Sequence, residues 1–373
     1  MNVTIQRDDM LRMIGRVKGI PPKSANTPVL SHVRLTASGQ ELILTATDLD
    51  LILRVKGTAQ VFDSGDIAVP AEPLFRIIRN APDERIAFEG KEPHRLKIAC
   101  GSARFELHGL SGEEFPPFPE LTFDQRFSLP SQTIVSMLEK TMFAAFRKEN
   151  GMPHLTGVFM EIRGDNGNAR LSTVATDGHR LARIEIPPVN EALTIPSGII
   201  IPFKGCVELL RMARETEADL ELGISEPSLF AAKENESLVI RLLSGSFPNY
   251  RAILESITGR AVSSERKPLE QCLERTLVMA EGSFRQVSLR FQERDRLLIN
   301  AKNQNLGEAE DTLAIKSEFE DLSVCFNPDY LLDGLRVMKS GQVDILLNDP
   351  QSPAFISGKE DEGFSYIVMP MRA

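Results

Sequence analysis

The chain has 373 residues, 42% hydrophobic and 25% charged, with a formal net charge of −9. That is ordinary globular composition, and no run reaches the roughly 18 apolar residues that a helical membrane span needs. Cys100, Cys206, Cys272 and Cys325 lie far apart within apolar patterns, so neither a disulfide framework nor metal-ligand spacing is present and buried reduced thiols are expected. The first residues run straight into a charged pattern instead of a signal peptide, which places the protein in the cytoplasm as an expectation.

Taken in chain order, the predicted elements repeat. A short strand and a helix over 7–18 lead to the hairpin LILTAT-DLD-LILRV from Leu42, then to a helix over 70–81 opened by Pro70. The order returns with a helix over 131–148, the hairpin ARLSTVAT-DGH-RLARIEI from Ala169, and a helix over 202–214 opened by Pro202. It returns again with a helix over 267–280, the hairpin LLINAK-NQN-LGEAE from Leu297, and a helix over 328–339 opened by Pro328. Asp48, Asp177 and Asn303 therefore mark equivalent turns at a period of about one third of the chain. Proline-rich SGEEFPPFPELTFDQ from Ser111 and polar ITGRAVSSERKP from Ile257 break the pattern, giving three α+β domains over 1–124, 125–258 and 259–373.

The helices share a charge pattern. A cation recurs in the first helix of each repeat (Arg16, Lys140, Arg275) and in the second (Arg79, Arg211, Arg336). In the middle repeat Lys204, Glu208, Arg211 and Glu215 fall on one helical face and Cys206, Val207, Leu209, Leu210 and Ala213 on the other. Net positive helices in an acidic chain predict a basic surface on an acidic body, although each helix alone reads equally as a solvated face.

Nothing in the sequence speaks for catalysis. There is no GxxxxGK[ST] loop, HExxH or GxSxG, and His32, His94, His108, His154 and His179 form no pair at ligand spacing. Glu308, Glu310 and Asp311 cluster in only one of the three hairpins and read as a surface. No catalytic residue, metal or cofactor is expected.

Three motifs carry a resemblance: ATDGHRLA (Ala175 to Ala182), SGSFPNYR (Ser244 to Arg251) and VMPMR (Val368 to Arg372). With the three-part layout, they resemble the bacterial DNA polymerase III beta subunits, the replicative sliding clamps. The resemblance implies the DNA-clamp fold, closed by head-to-tail homodimerisation into a ring with helices lining the hole and antiparallel sheets outside. It implies a non-catalytic factor that holds double-stranded DNA without sequence specificity and tethers the DNA polymerase III alpha subunit, the clamp loader and other replication or repair proteins through short peptides.

The residues implied fall into three sets. A partner-peptide groove would use Leu155, Thr176, Gly178, His179, Arg180, Leu181, Pro248, Ile253, Tyr330, Ile367, Met369, Pro370, Met371 and Arg372, with Arg180 or Arg372 holding a carbonyl or acid at the rim. DNA would meet Lys23, Arg79, Arg147, Lys148, Lys204 and Arg211. The ring seam would bring Phe105 and Leu107 against Val278 and Met279 of the second copy. Local readings stand beside these: Asp177-Gly178 suits a type I′ turn, and Met369 and Met371 alternate like one packed face of a terminal strand. Ala252, where relatives often carry a cation, Gln351, and the loop from Phe146 to His154 depart from the family pattern.

Overall fold

Apolar residues at helical spacing build the helices. In α1 (Arg7–Val17), Met10, Met13, Ile14 and Val17 are buried, Asp8 and Asp9 lie in the first turn and Arg16 in the last, matching the helix dipole. The computed structural model describes residues 1–22, 27–91, 93–119, 125–147, 152–163, 169–187, 195–280 and 285–372. The other helices are α2 (Ala71–Arg79), α3 (Ser131–Glu139), α4 (Phe203–Arg214), α5 (Tyr250–Glu255), α6 (Arg266–Leu277) and α7 (Pro328–Val337). Among the described residues no helix is long and apolar enough to cross a membrane.

Two of the helix expectations need correction. The helix expected over 131–148 ends at Glu139, because the Thr141 hydroxyl donates to the Met137 carbonyl (2.7 Å) and a short 3-10 turn, Met142–Ala144, follows. In α4, Cys206, Leu209, Leu210 and Ala213 are buried as expected, but Val207 is 40% exposed.

Tertiary packing groups the chain into two units. The first comprises Met1–Ser131 with Glu215–Leu242, the second Gln132–Arg214 with Leu243–Ala373. Every strand pairing described is antiparallel. In the first unit an eight-stranded sheet runs from Gln125–Leu129 to Gly65–Pro70, and Leu51–Thr58 pairs within it with Glu236–Arg241. A five-stranded sheet ends on the strand Ala103–His108. Strand Leu51–Thr58 approaches α1 at Gly57, where a Cβ would collide with the Met13 thioether.

In the second unit a nine-stranded sheet pairs Arg180–Ile186 with Phe364–Val368, and a four-stranded sheet ends on Gly307–Ala314. Gly334 of α7 lies where a Cβ would strike the fully buried Tyr366 ring, so helix and sheet meet at a glycine. The Tyr366 hydroxyl then donates to the Tyr330 carbonyl at 2.7 Å.

All three expected hairpins form, and the turn residues explain why. Asp48 Oδ1 accepts from the Asp50 and Leu51 N–H groups, Asp177 Oδ1 from His179 and Arg180, and Asn303 Oδ1 from Asn305 and Leu306. Each side chain caps its own turn. The middle turn is not type I′, which needs two positive φ angles: only Gly178 is positive (φ 87°) between Asp177 and Arg180.

Candidate functional site

The middle hairpin sets up the site. Thr176 Oγ1 donates to the Arg180 carbonyl (2.6 Å) and accepts from the Gly178 N–H (3.1 Å), so the turn is tied from both sides. Its outer strand then pairs Leu181 with Ile367, and past the strand end the Met369 N–H donates to the His179 carbonyl at 2.8 Å. The Met371 N–H reaches the Cys325 carbonyl at 2.7 Å. Chain segments almost two hundred residues apart thus meet by backbone hydrogen bonds.

An apolar floor lies among them. Phe159, Val174, Leu181, Ile200, Tyr250 and Ile367 form a buried cluster, against which Leu243, Phe247, Leu254, Ile257 and Phe355 pack partly buried. Phe159 and Phe247 stack with centroids 4.8 Å apart. Beneath Tyr250, its hydroxyl and Arg251 both donate to buried Glu161; burial, and then that carboxylate, push the phenol pKa up.

Of the fourteen groove residues expected from the sequence, Gly178, His179, Pro248, Ile253, Met369 and Arg372 are exposed, and Tyr330, Pro370 and Met371 half-buried. Leu155, Thr176, Arg180, Leu181 and Ile367 are buried. Ile253 and Met369 are each 40% exposed, so Met369 is not the packed face of a terminal strand. His179 stacks on Tyr330, 6.4 Å between centroids.

Arg180 departs from its expected place at the rim. Its Nε donates to Asp177 Oδ2 (3.0 Å), Nη1 to Asp333 Oδ2 (2.6 Å) and Nη2 to the Phe143 carbonyl (2.9 Å), with the guanidinium 4.4 Å from the Tyr330 ring centroid. Burial works against its charge, but Asp333 and the other acids around it outweigh burial and raise its pKa. A guanidinium so fully engaged holds Tyr330 and the turn in place, and of the two arginines expected at the rim Arg372 is the exposed one.

The sequence reading missed Phe159, Val174, Tyr250, Phe247 and Asp333. Phe247 had a signal, since it stands inside SGSFPNYR beside Pro248. Asp333 had none: its partner is 153 residues away.

The expected DNA residues lie on different elements. Arg79 closes α2 and is exposed, Lys204 is exposed near the start of α4, and Arg211 is half-buried on the same helix. Arg147 lies outside any helix, its guanidinium 3.9 Å from the Phe203 ring centroid; burial and then the nearby Arg180 charge lower its pKa. Lys23 and Lys148 lie outside the described residues. Two of the recurring helix cations are not surface charges at all. Arg16 is buried against Glu236 (3.0 Å), and Lys140 against Asp361 (2.7 Å). Arg275 is exposed but paired with Asp311 at 2.6 Å.

For the seam residues, Phe105 is 39% exposed and Leu107 half-buried on the edge strand Ala103–His108, while Val278, 63% exposed, and half-buried Met279 follow α6. Among the described residues no group of three or more His, Cys, Asp or Glu is arranged to hold a metal ion. Asp311 and Glu308 of the acidic hairpin instead bind Arg275, Lys302 and Asn300.

Comparison with known proteins gives one answer along the chain. The DNA polymerase III beta subunit N-terminal, central and C-terminal domain families match residues 1–119, 128–249 and 258–372. The chain is 30% identical to the beta sliding clamp of Pseudomonas aeruginosa and 29% to that of Caulobacter vibrioides, covering 100% of each sequence. Among solved structures it is similar to the DnaN sliding clamp of Bartonella birtlesii bound to griselimycin (TM-score 0.95, 29% identity) and to DNA polymerase III subunit beta of Pseudomonas aeruginosa (TM-score 0.93, 30% identity). Each of these matches covers 100% of both chains. The chain belongs to the DNA polymerase III beta subunit family, and it is a DNA sliding clamp, a non-catalytic processivity factor of replication.

Proposed function

We propose that three domains, 1–124, 125–258 and 259–373, assemble with those of a second copy into a closed ring that encircles duplex DNA in the cytoplasm. Phe105 and Leu107 of one copy meet Val278 and Met279 of the other, so the exposed edge strand Ala103–His108 is covered. The ring carries Arg79, Arg147, Lys204 and Arg211, with Lys23 and Lys148, toward the duplex. Topology and not tight phosphate binding keeps it there, because each neutralised phosphate adds salt-sensitive affinity that would oppose sliding.

The polymerase alpha subunit, the clamp loader and repair proteins dock short peptides on the groove at the middle hairpin. The observation that carries this reading is an apolar floor below a rim of His179, Pro248, Ile253 and Met369, two of whose apolar side chains are left 40% exposed. Anchors of leucine or phenylalanine type enter over Leu181 and Ile367, flexible Met369 adapts to them, and Arg372 takes a carbonyl or acid.

The test combines the mass of the assembly with retention on nicked circular DNA. Loaded clamp should have twice the chain's mass and leave the DNA once the circle is linearised. Equal retention on circular and linear DNA would overturn topological linkage.

A further inference from the structure

The first hairpin repeats the geometry of the middle one closely enough to build a second docking pocket. Thr47 Oγ1 donates to the Leu51 carbonyl and accepts from the Leu49 N–H, as Thr176 does to Arg180 and from Gly178. Ile52 pairs with Val239 as Leu181 pairs with Ile367. The Arg241 N–H donates to the Asp50 carbonyl at 2.8 Å, matching Met369 and His179 at 2.8 Å. Around this turn lies an open pocket of about 260 Å³, formed in part by Leu49, Ile52, Val239, Pro119 and Pro227. Asp50, Ser228 and Arg241 add its polar wall.

One residue breaks the local rules. Leu49 takes φ 79°, where its counterpart is Gly178, and it is also 58% exposed. A leucine in left-handed backbone costs roughly 1–2 kcal/mol, and this one gains little burial in return. Such strain at a pocket edge points to a partner that covers the side chain. The pocket is smaller than the roughly 300–1,000 Å³ of small-molecule sites and suits a single side chain. Arg241 is exposed, and its guanidinium makes no ion pair or hydrogen bond among the described residues.

We infer that this pocket is a second peptide-docking site, distinct from the groove at the middle hairpin, taking one large apolar side chain followed by a carboxylate. The apolar anchor sits on Ile52 and Val239 beneath Leu49, and the carboxylate meets Arg241.

The test uses full-length protein labelled with ¹³C at Leu, Ile and Val methyl groups, titrated with acetyl-Gly-Phe-Asp-Gly-amide and with the same peptide carrying Asn for Asp. The expected result is methyl shifts at Leu49, Ile52 and Val239, about tenfold weaker binding of the Asn peptide, and a similar loss in Arg241→Glu. Leu49→Gly should weaken the same binding without lowering the denaturation midpoint, since it relaxes the turn. Shifts confined to Leu181 and Ile367, no shift at Leu49 and Ile52 at millimolar peptide, or equal binding of both peptides would overturn the second site. Leu181 and Ile367 report the groove independently, so failure of one reading is visible apart from the other.

Discussion

Arg16 and Lys140 occupy matching places in two first helices, and Arg79 and Arg211 in two second helices; all four looked alike as recurring helix cations. The first two are 3% and 7% exposed, whereas Arg79 faces solvent and Arg211 is half-buried. Arg16 reaches Glu236 across 220 positions and Lys140 reaches Asp361 across 221, so these are equivalent internal links, each joining one repeat to the next. A cation that recurs with the repeat reports the repeat. Its exposure is decided by a partner that arrives from far along the chain.

Cutting the buried link should have the largest effect. Asp361 accepts from Lys140 Nζ (2.7 Å), the Ser340 hydroxyl (2.7 Å) and the N–H groups of Ser340 and Lys339. Asp361→Ala leaves the Lys140 ammonium buried without its anion, and a loss of about 3–5 kcal/mol is expected by denaturant unfolding. The double change Lys140→Met with Asp361→Leu should recover only part of it, because the Ser340 and Lys339 donors still lose their acceptor. If the single variant loses nothing, the link is ornamental.

Acid titration should reveal the same pair more gently. Burial alone would raise the Asp361 pKa, but Lys140 and the Ser340 and Lys339 donors outweigh it and hold the carboxyl near about 2, down from 3.8. A depressed folded pKa stabilises fully above the unfolded value, so the contribution is intact above about pH 4 and fades as pH falls toward about 2. It amounts to about 2–3 kcal/mol. Asp361→Asn should flatten that part of the stability profile, measured by unfolding at successive pH values.

The exposed side of the comparison predicts the reverse pattern. Arg79→Ala should leave the unfolding midpoint in place and reduce the slope of log affinity against log salt by about 1 for linear duplex DNA. Smallest of all is Arg275→Ala. Its exposed pair with Asp311 is solvent-screened, so no measurable change in the unfolding midpoint is expected, although it is the third member of the same repeating set.

How much of this was legible in the sequence follows from distance along the chain. The hairpins were, because Asp48, Asp177 and Asn303 each act within three residues of themselves. The end of α3 was not, since a threonine hydroxyl turning back on Met137 looks like continued helix in a list of letters. In the groove, the motifs brought out His179, Pro248 and Met369 at the rim. The floor escaped: Phe159 and Val174 are unremarkable apolar and aromatic letters until strand pairing sets them side by side, and Tyr250, although inside SGSFPNYR, joins them only from α5. The full engagement of Arg180 was not legible either, because its acid Asp333 lies on α7.

The strand pairings Leu51–Thr58 with Glu236–Arg241 and Arg180–Ile186 with Phe364–Val368 carry a practical lesson about dissecting this protein. Excising any one third would strip a central strand of its neighbour and leave a row of amide and carbonyl groups facing water. Such a fragment would seek another chain to pair with and come out of solution. The repeats can be counted separately, but they cannot be owned separately: the first and second, and the second and third, complete one another's sheets.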